Sequence, residues 1–492
     1  MQRPPVGCRP WPGGRPSFAG GSVRRASSPW RGPGFPLAWL LLACLTACTA
    51  RPHPTPPAPR PQAEQPIAPP LTATPARLPT RTPVPGVLYV DAATSLGPVS
   101  RLSFGTNCGP WMGVPVDLID RFRASGLTLL RFPGGNWGDL NDLEAYQIDQ
   151  FIALAGQIQA EPLIAVRLRG GTPAKAADLV RYVKQRGYPV RYWSIGNEPS
   201  LYASREPGYD TVRHNQEWRA FATAMRAVDP AIVLVGPDIH QFTGHPATDP
   251  KDAAGRDWLR EFLRANGDLV GVVSIHRYPF PRRTGDPPPT LAELLADCDD
   301  WDGLVHALRL AVREAAGRDL PVAVTEFNSH WANVTGTDTT PDSFGSALWL
   351  ADVLGRLVRA RVDMVAHFAL QSGPRAGGYG LLATSEVRPS YYVYQMYRHL
   401  GQELVYASSG EPRLTILAAR RPDATLTLMV INRGPRAAVP VRLDHFLPSG
   451  RAEVRLFDAT HPAEALPPVE VSASFSYDFP PLSVTLLAIP QQ

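Results

Sequence analysis

Cysteine is scarce in this 492-residue chain, with five in all, and three of them (Cys8, Cys44 and Cys48) precede residue 50. Only Cys108 and Cys298 remain in the body. No Cys-x-x-Cys pair or histidine cluster accompanies them, which removes the structural-zinc class. Export would permit a disulfide between the two; two unrelated thiols are the other possibility. Long apolar runs are missing too. The longest, Leu37–Leu45, falls well short of the roughly 20 residues that span a bilayer. A basic body is also absent, although the formal charge is +5. Residues 1–47 hold six arginines and no acid, and residues 48–85 carry a net +3, so the body from Gly86 onward is near −4. A mildly acidic body argues against nucleic acid as the partner, because phosphate binding needs a basic face.

What is plentiful is proline, 54 residues, many of them before residue 86. Residues 1–47 read as a signal peptide, with an Arg-rich stretch ahead of the Leu37–Leu45 apolar core. The core ends in Leu45-Thr46-Ala47-Cys48, which resembles a bacterial lipobox. That resemblance implies cleavage before Cys48, lipidation of its thiol, and a lipoprotein anchored to a membrane on the extracytoplasmic side. An ordinary signal peptide of a secreted protein is the alternative. Residues 48–85, rich in Pro, Thr and Ala, cannot pack a core and predict an extended, semi-rigid tether.

From residue 101 to 400 eight short apolar runs alternate with amphipathic stretches. They are Leu102–Asn107, Thr128–Gly134, Pro162–Leu168, Val190–Asn197, Ala231–Pro237, Val270–His276, Pro321–Glu326 and Asp363–Leu370. Between them, Phe344, Leu348, Ala351, Leu354 and Val358 recur at helical spacing. Strands alternating with helices imply βαβ units and a parallel sheet. Eight units over about 300 residues predict an α/β fold, a closed (β/α)8 TIM barrel. An open doubly wound sheet would usually carry a glycine-rich phosphate turn after its first strand, and none is present. Residues 401–492 switch to strand-like runs and turns, which predicts a small C-terminal all-β sandwich. Residues 86–100 read as an edge strand joining it.

Barrel chemistry sits at the C-terminal ends of strands, and two runs stop at a glutamate. The fourth ends Trp193-Ser194-Ile195-Gly196-Asn197-Glu198-Pro199, and the seventh ends Val324-Thr325-Glu326-Phe327-Asn328. Two facing carboxylates are the minimum for retaining glycoside hydrolysis: one acts as acid and then base, the other as nucleophile. No cofactor or metal is required for such acid/base and covalent catalysis.

These strings resemble the glycoside hydrolase clan whose (β/α)8 barrels carry the acid/base after strand four and the nucleophile after strand seven, which implies that Glu198 is the acid/base and Glu326 the nucleophile. The resemblance implies that Asn197 binds a sugar hydroxyl. His276-Arg277-Tyr278 is similar to the clan's His-x-Tyr, which implies that Tyr278 donates to the nucleophile and that His276 lies near the acid/base or the substrate. Arg131-Phe132-Pro133-Gly134-Gly135-Asn136 resembles a string of family 51 α-L-arabinofuranosidases and gives Asn136 a substrate contact. Trp137 and Trp331 are placed either to stack on sugar or to pack the core. Family 51 ends its first strand in a glutamate, whereas this chain has Asn107. Other strings look equally like family 39 xylosidases and family 44 endoglucanases. The expected substrate is therefore a polysaccharide or oligosaccharide with the sugar left open. A surface carbohydrate-binding lipoprotein without turnover is the competing reading.

Overall fold

The computed structural model describes residues 82–492 except Thr284 and residues 373–376. The signal peptide at 1–47, Cys48 and the tether up to residue 81 lie outside the described residues. Among the described residues no helix is long and apolar enough to cross a membrane.

Eight parallel strands close into a barrel: β2 (Gly105–Asn107), β3 (Leu129–Phe132), β4 (Glu161–Val166), β5 (Tyr192–Ile195), β6 (Val233–Ile239), β7 (Val272–Arg277), β8 (Val322–Phe327) and β9 (Met364–His367). Each falls within or overlaps one of the eight apolar runs. β2 returns to β9 through Gly105↔Ala366 and Thr106↔His367. This closure needs a glycine, because a Cβ at Gly105 would lie 2.5 Å from the Val365 carbonyl oxygen. Amphipathic helices cover the outside. Pro173–Gln185 starts on a Thr172 side chain that accepts from the Lys175 amide, and Leu291–Asp297 starts on a Thr290/Glu293 capping box.

The barrel interior is stratified. At its lower end Leu102, Leu129, Leu163, Tyr192, Val235, Val272, Ala323 and Met364 form a separate apolar plug with a side chain from every strand or its lead-in. Such a barrel is therefore a packed core and not a pore. Above the plug the interior turns polar with Asn107, Arg131, Asp238, Ser274 and Thr325, all buried. The two glutamates sit at the mouth.

Three short strands, β10 (Gln371–Ser372), β11 (Leu382–Ala383) and β12 (Glu386–Val387), lie beyond the barrel's last strand. The C-terminal part is one continuous nine-stranded ladder. It is built from β1 (Leu88–Pro98), β13 (Glu403–Ser409), β14 (Leu414–Arg420), β15 (Leu426–Asn432), β16 (Ala437–Asp444), β17 (Arg451–Phe457), β18 (Glu464–Glu470), β19 (Ser474–Phe479) and β20 (Ser483–Ile489). Side chains from both ends of the ladder share one core, including Leu88, Val90, Val441, Phe479, Val454 and Leu487. β1 corrects the expectation for residues 86–100: it is an interior strand, antiparallel to β13 and parallel to β16, and the edges are β18 and β19. Leu88 and Val90, both fully buried, face the sheet's core, while the backbone pairs with β13 on one side and β16 on the other.

The helix Phe344–Arg359 is buried along almost its whole length. One side packs in the barrel's helical ring and the other meets β14, β15 and β20. Arg433, just past β15, joins the two parts there, its Nε 2.9 Å from the buried Asp352 of this helix, and Arg356 on the same helix lies 2.6 Å from the exposed Asp299 and 2.7 Å from the half-buried Asp302. Cys108 and Cys298 are separate buried thiols.

Candidate active site

Arg131, at the end of β3, is completely buried and organises the mouth. Its Nη1 donates to Asn107 Oδ1 at 2.8 Å and to Glu326 Oε2 at 3.1 Å. Its Nη2 donates to Asn197 Oδ1 at 2.8 Å and to Asp238 Oδ2 at 3.0 Å. Burial alone would lower the arginine's pKa, but the charges of Asp238 and Glu326 outweigh it and raise the value. The same contacts hold Asp238 below the ordinary carboxylate range despite its burial. Ser274 and Thr325 hydroxyls also donate to Asp238 Oδ1, each at 2.5 Å.

Two β-bulges aim these groups. Between β6 and β7 the register passes from Pro237↔Ser274 to Ile239↔Ile275, which leaves Asp238 as the extra residue, with φ 54°. Between β7 and β8 it passes from Ile275↔Val324 to His276↔Glu326, which skips Thr325. A regular strand sends consecutive side chains to opposite faces. With the bulge, Thr325 and Glu326 both reach the interior network.

Glu326 has three donors. Tyr278 Oη donates to Oε1 at 2.7 Å, and Arg131 and the Gly135 amide donate to Oε2, the latter at 3.2 Å. Burial and the Glu326 charge push the Tyr278 hydroxyl well above its ordinary pKa, so it stays a donor. Glu198, at the end of β5, adopts a left-handed conformation (φ 47°, ψ 54°), and its amide donates to the Asp238 carbonyl at 3.0 Å. Strain of this kind persists where surrounding bonds over-determine it. Its carboxylate meets His276 Nδ1 at 3.1 Å. Burial lowers His276 to about 4, so the ring is neutral near pH 7.

Oxygens of Glu198 and Glu326 and a ring nitrogen of His276 all lie within 4.8 Å of one another. Burial raises the pKa of both glutamates. The donors then separate them. Glu326 accepts directly from Arg131, Tyr278 and Gly135, whereas the Glu198 carboxylate meets the neutral His276 ring and feels His240 and Arg131 only through space, so the ionised form is held more firmly at Glu326 than at Glu198.

The structure brings together six of the eight residues singled out at the mouth. Asn197 donates from Nδ2 to Asn136 Oδ1 at 3.2 Å, and Asn136 is exposed at the opening. His276 is fully buried and reaches Glu198, not the open mouth. Trp137 is half-buried next to Asn136, and none of its bonds joins the carboxylate network. Trp331 is 42% exposed on the rim, and its indole N–H donates to the Pro281 carbonyl at 2.8 Å. Asn107 is no substrate contact. It is fully buried, it accepts from Arg131, and it donates to the Thr325 and Ala366 carbonyls at 3.0 and 3.1 Å. Arg131, Asp238 and His240 escaped the sequence reading. His240 is half-buried just past β6, where its charge lowers the Glu198 pKa. The legible signal was that Arg131 and Asp238 are charges at strand ends, in runs otherwise apolar.

No family model matches the chain. It is 26% identical over 211 residues to an intracellular exo-α-(1→5)-L-arabinofuranosidase of Streptomyces lividans, covering 34% of this chain and 30% of that protein. It is 22% identical over 271 residues to an exo-α-(1→6)-L-arabinofuranosidase of Bifidobacterium longum, covering 45% and 49%. The chain thus spans less than half the length of these curated relatives. Among solved structures it is similar to CelM2, a bifunctional glucanase-xylanase from a metagenome library (TM-score 0.65, 19% identity, 82% of this chain and 99% of that one). It is similar also to the α-L-arabinofuranosidase of Thermotoga maritima (0.64, 18%, with 82% and 99% covered) and to a family 44 xyloglucanase of Paenibacillus polymyxa (0.64, 14%, with 82% and 99% covered). At these identities the likeness establishes the fold: a closed parallel (β/α)8 barrel with an attached all-β part, an architecture these glycoside hydrolases share.

Proposed function

We propose that the chain is a retaining glycoside hydrolase that cleaves O-glycosidic bonds of a polysaccharide or oligosaccharide by double displacement. The observation that carries this is the approach of the Glu198 and Glu326 carboxylates to within 4.8 Å, each in a different donor environment. Retaining enzymes hold their carboxyl groups about 5–5.5 Å apart, whereas inverting enzymes leave about 6.5–9.5 Å for a water molecule.

In the first step Glu326 attacks the anomeric carbon and the bond to the leaving oxygen breaks. Glu198 gives that oxygen its proton. In the second step Glu198, now a carboxylate, takes a proton from water, whose oxygen displaces Glu326 from the same carbon. Arg131 and Tyr278 hold Glu326 ionised and aimed. Asn197 and Asn136, joined by their side-chain amides, present polar groups to the sugar, and Trp137 and Trp331 offer ring faces at the opening.

The substrate proposed first is an α-L-arabinofuranoside, because both curated relatives carry that activity in their names. A panel of aryl α-L-arabinofuranosides, β-xylosides and β-glucosides with soluble glucans tests it. Glu198→Ala slows natural glycosides, and azide restores turnover of an activated aryl glycoside. Full activity in Glu198→Ala or Glu326→Gln would sink the assignment, and glycan binding without hydrolysis would favour the non-catalytic reading. We extend the proposal to the N-terminus: Cys48 carries lipid and anchors the enzyme on the extracytoplasmic side. Palmitate labelling of cells, lost in Cys48→Ala, supports this; unlabelled protein overturns it.

A further inference from the structure

Asp139 lies in the short helix Trp137–Leu140 and is 3% exposed. It touches neither carboxylate of the mouth. Its Oδ2 accepts the main-chain N–H of Asn197 at 3.2 Å, and the Tyr202 hydroxyl and the Arg169 main-chain N–H also face the carboxylate. Three residues earlier on the same turn, Asn136 Oδ1 accepts from the Asn197 side chain. One turn of chain thus grips Asn197 twice, by its amide side chain and by its backbone, immediately before the strained Glu198. Gly196, with φ 80°, leaves room for this: a Cβ there would come within 3.0 Å of the Tyr202 hydroxyl, which itself lies 3.4 Å from the Asn197 nitrogen.

We propose that Asp139 is a positioning residue whose carboxylate fixes the Gly196–Asn197 peptide, the unit just before Glu198, so that protonation of Asp139 loosens the acid/base and slows turnover. This rests on the glycosidase reading above. Groups facing Asp139 are the Tyr202 and Tyr209 hydroxyls and the Arg169 guanidinium, and Arg169 is itself paired with Glu206 at 3.1 Å. Burial drives the Asp139 carboxyl up to about 6, against the Tyr202 hydroxyl and the Arg169 charge, which lower it. Ionisation therefore falls inside the range where such an enzyme is assayed.

The test compares the wild type with Asp139→Asn and Asp139→Ser, in kcat and KM from pH 4.5 to 8 on whichever aryl glycoside the wild type cleaves. Asp139→Asn is expected to cut kcat about 10-fold at pH 7 with KM nearly unchanged, and to remove one ionisation near pH 6 from the acidic limb. Wild-type rate and an unchanged limb in both variants overturn the proposal. Thermal melting separates this from failure of the glycosidase reading. A folded pKa above the unfolded value of about 3.9 means that the wild type loses stability as pH rises between the two. The melting temperature of Asp139→Asn should therefore gain on that of the wild type from pH 4 to 7, by roughly a few degrees. A gap that does not change with pH overturns the titration of Asp139 even if no glycoside is cleaved.

Discussion

Two arginine–carboxylate networks lie in this molecule, one partly exposed and one buried, and their charges do not balance in the same way. At the junction of barrel and sheet, Arg356, Arg359 and Arg433 face Asp299, Asp302 and Asp352, three charges against three. At the barrel mouth the single Arg131 faces Asp238 and Glu326 directly and feels Glu198. Buried charges are tolerated when paired. The balanced network needs no proton and joins two parts of the fold. The unbalanced one raises the pKa of Glu198 and Glu326, which is the condition that the proposed general acid needs. Charge deficit and deeper burial together distinguish the mouth from the junction.

The strongest way to break this comparison is at Glu326. Glu326→Gln should lose activity by on the order of 10⁴-fold or more on aryl and natural glycosides alike, with an unchanged melting temperature or a higher one. Retained turnover there would mean that the deficit is not catalytic. Next come the two arginines. Arg131→Met leaves Asp238 and Glu326 buried without a counter-charge and should cost about 3–5 kcal/mol in urea unfolding as well as most of the activity. Arg433→Met should cost less, about 1–3 kcal/mol, because the fully buried Asp352 keeps Arg356 at 3.4 Å, and should leave kcat within about twofold of the wild type. If the second variant is as inactive as the first at a temperature where both are folded, the two networks are not separable. The smallest effect concerns His240. Its positive charge lowers the Glu198 pKa, and burial lowers its own. His240→Ala should move the basic limb of the rate profile upwards, and only slightly, since the ring is largely neutral there. A downward move would contradict the placement of its charge.

Eight apolar runs and two strand-end glutamates were enough to read the barrel and its catalytic candidates from the chain. Period and strand order are local properties, and catalytic groups stop strands in a way that sequence displays. The roles of the neighbours were less legible. Asn107 sits where a related family has a glutamate, and it looked like a change of substrate contact. Packing shows it to be a brace for Arg131 and the β8 and β9 carbonyls. Residues 86–100 looked like an edge strand because nothing adjacent in sequence pairs with them. Their partners lie more than 300 residues away.

The sequence by itself therefore determined the class of fold, the order of its strands and the two carboxylates. Tertiary structure alone decided which charges face them. Arg131 meets Asp238 across 107 residues and Glu326 across 195. The bulges at Asp238 and Thr325 break the alternation by which a sequence reader assigns faces. A proton's location depends on the sum of charges within a few ångströms, and chain distance carries no information about that sum.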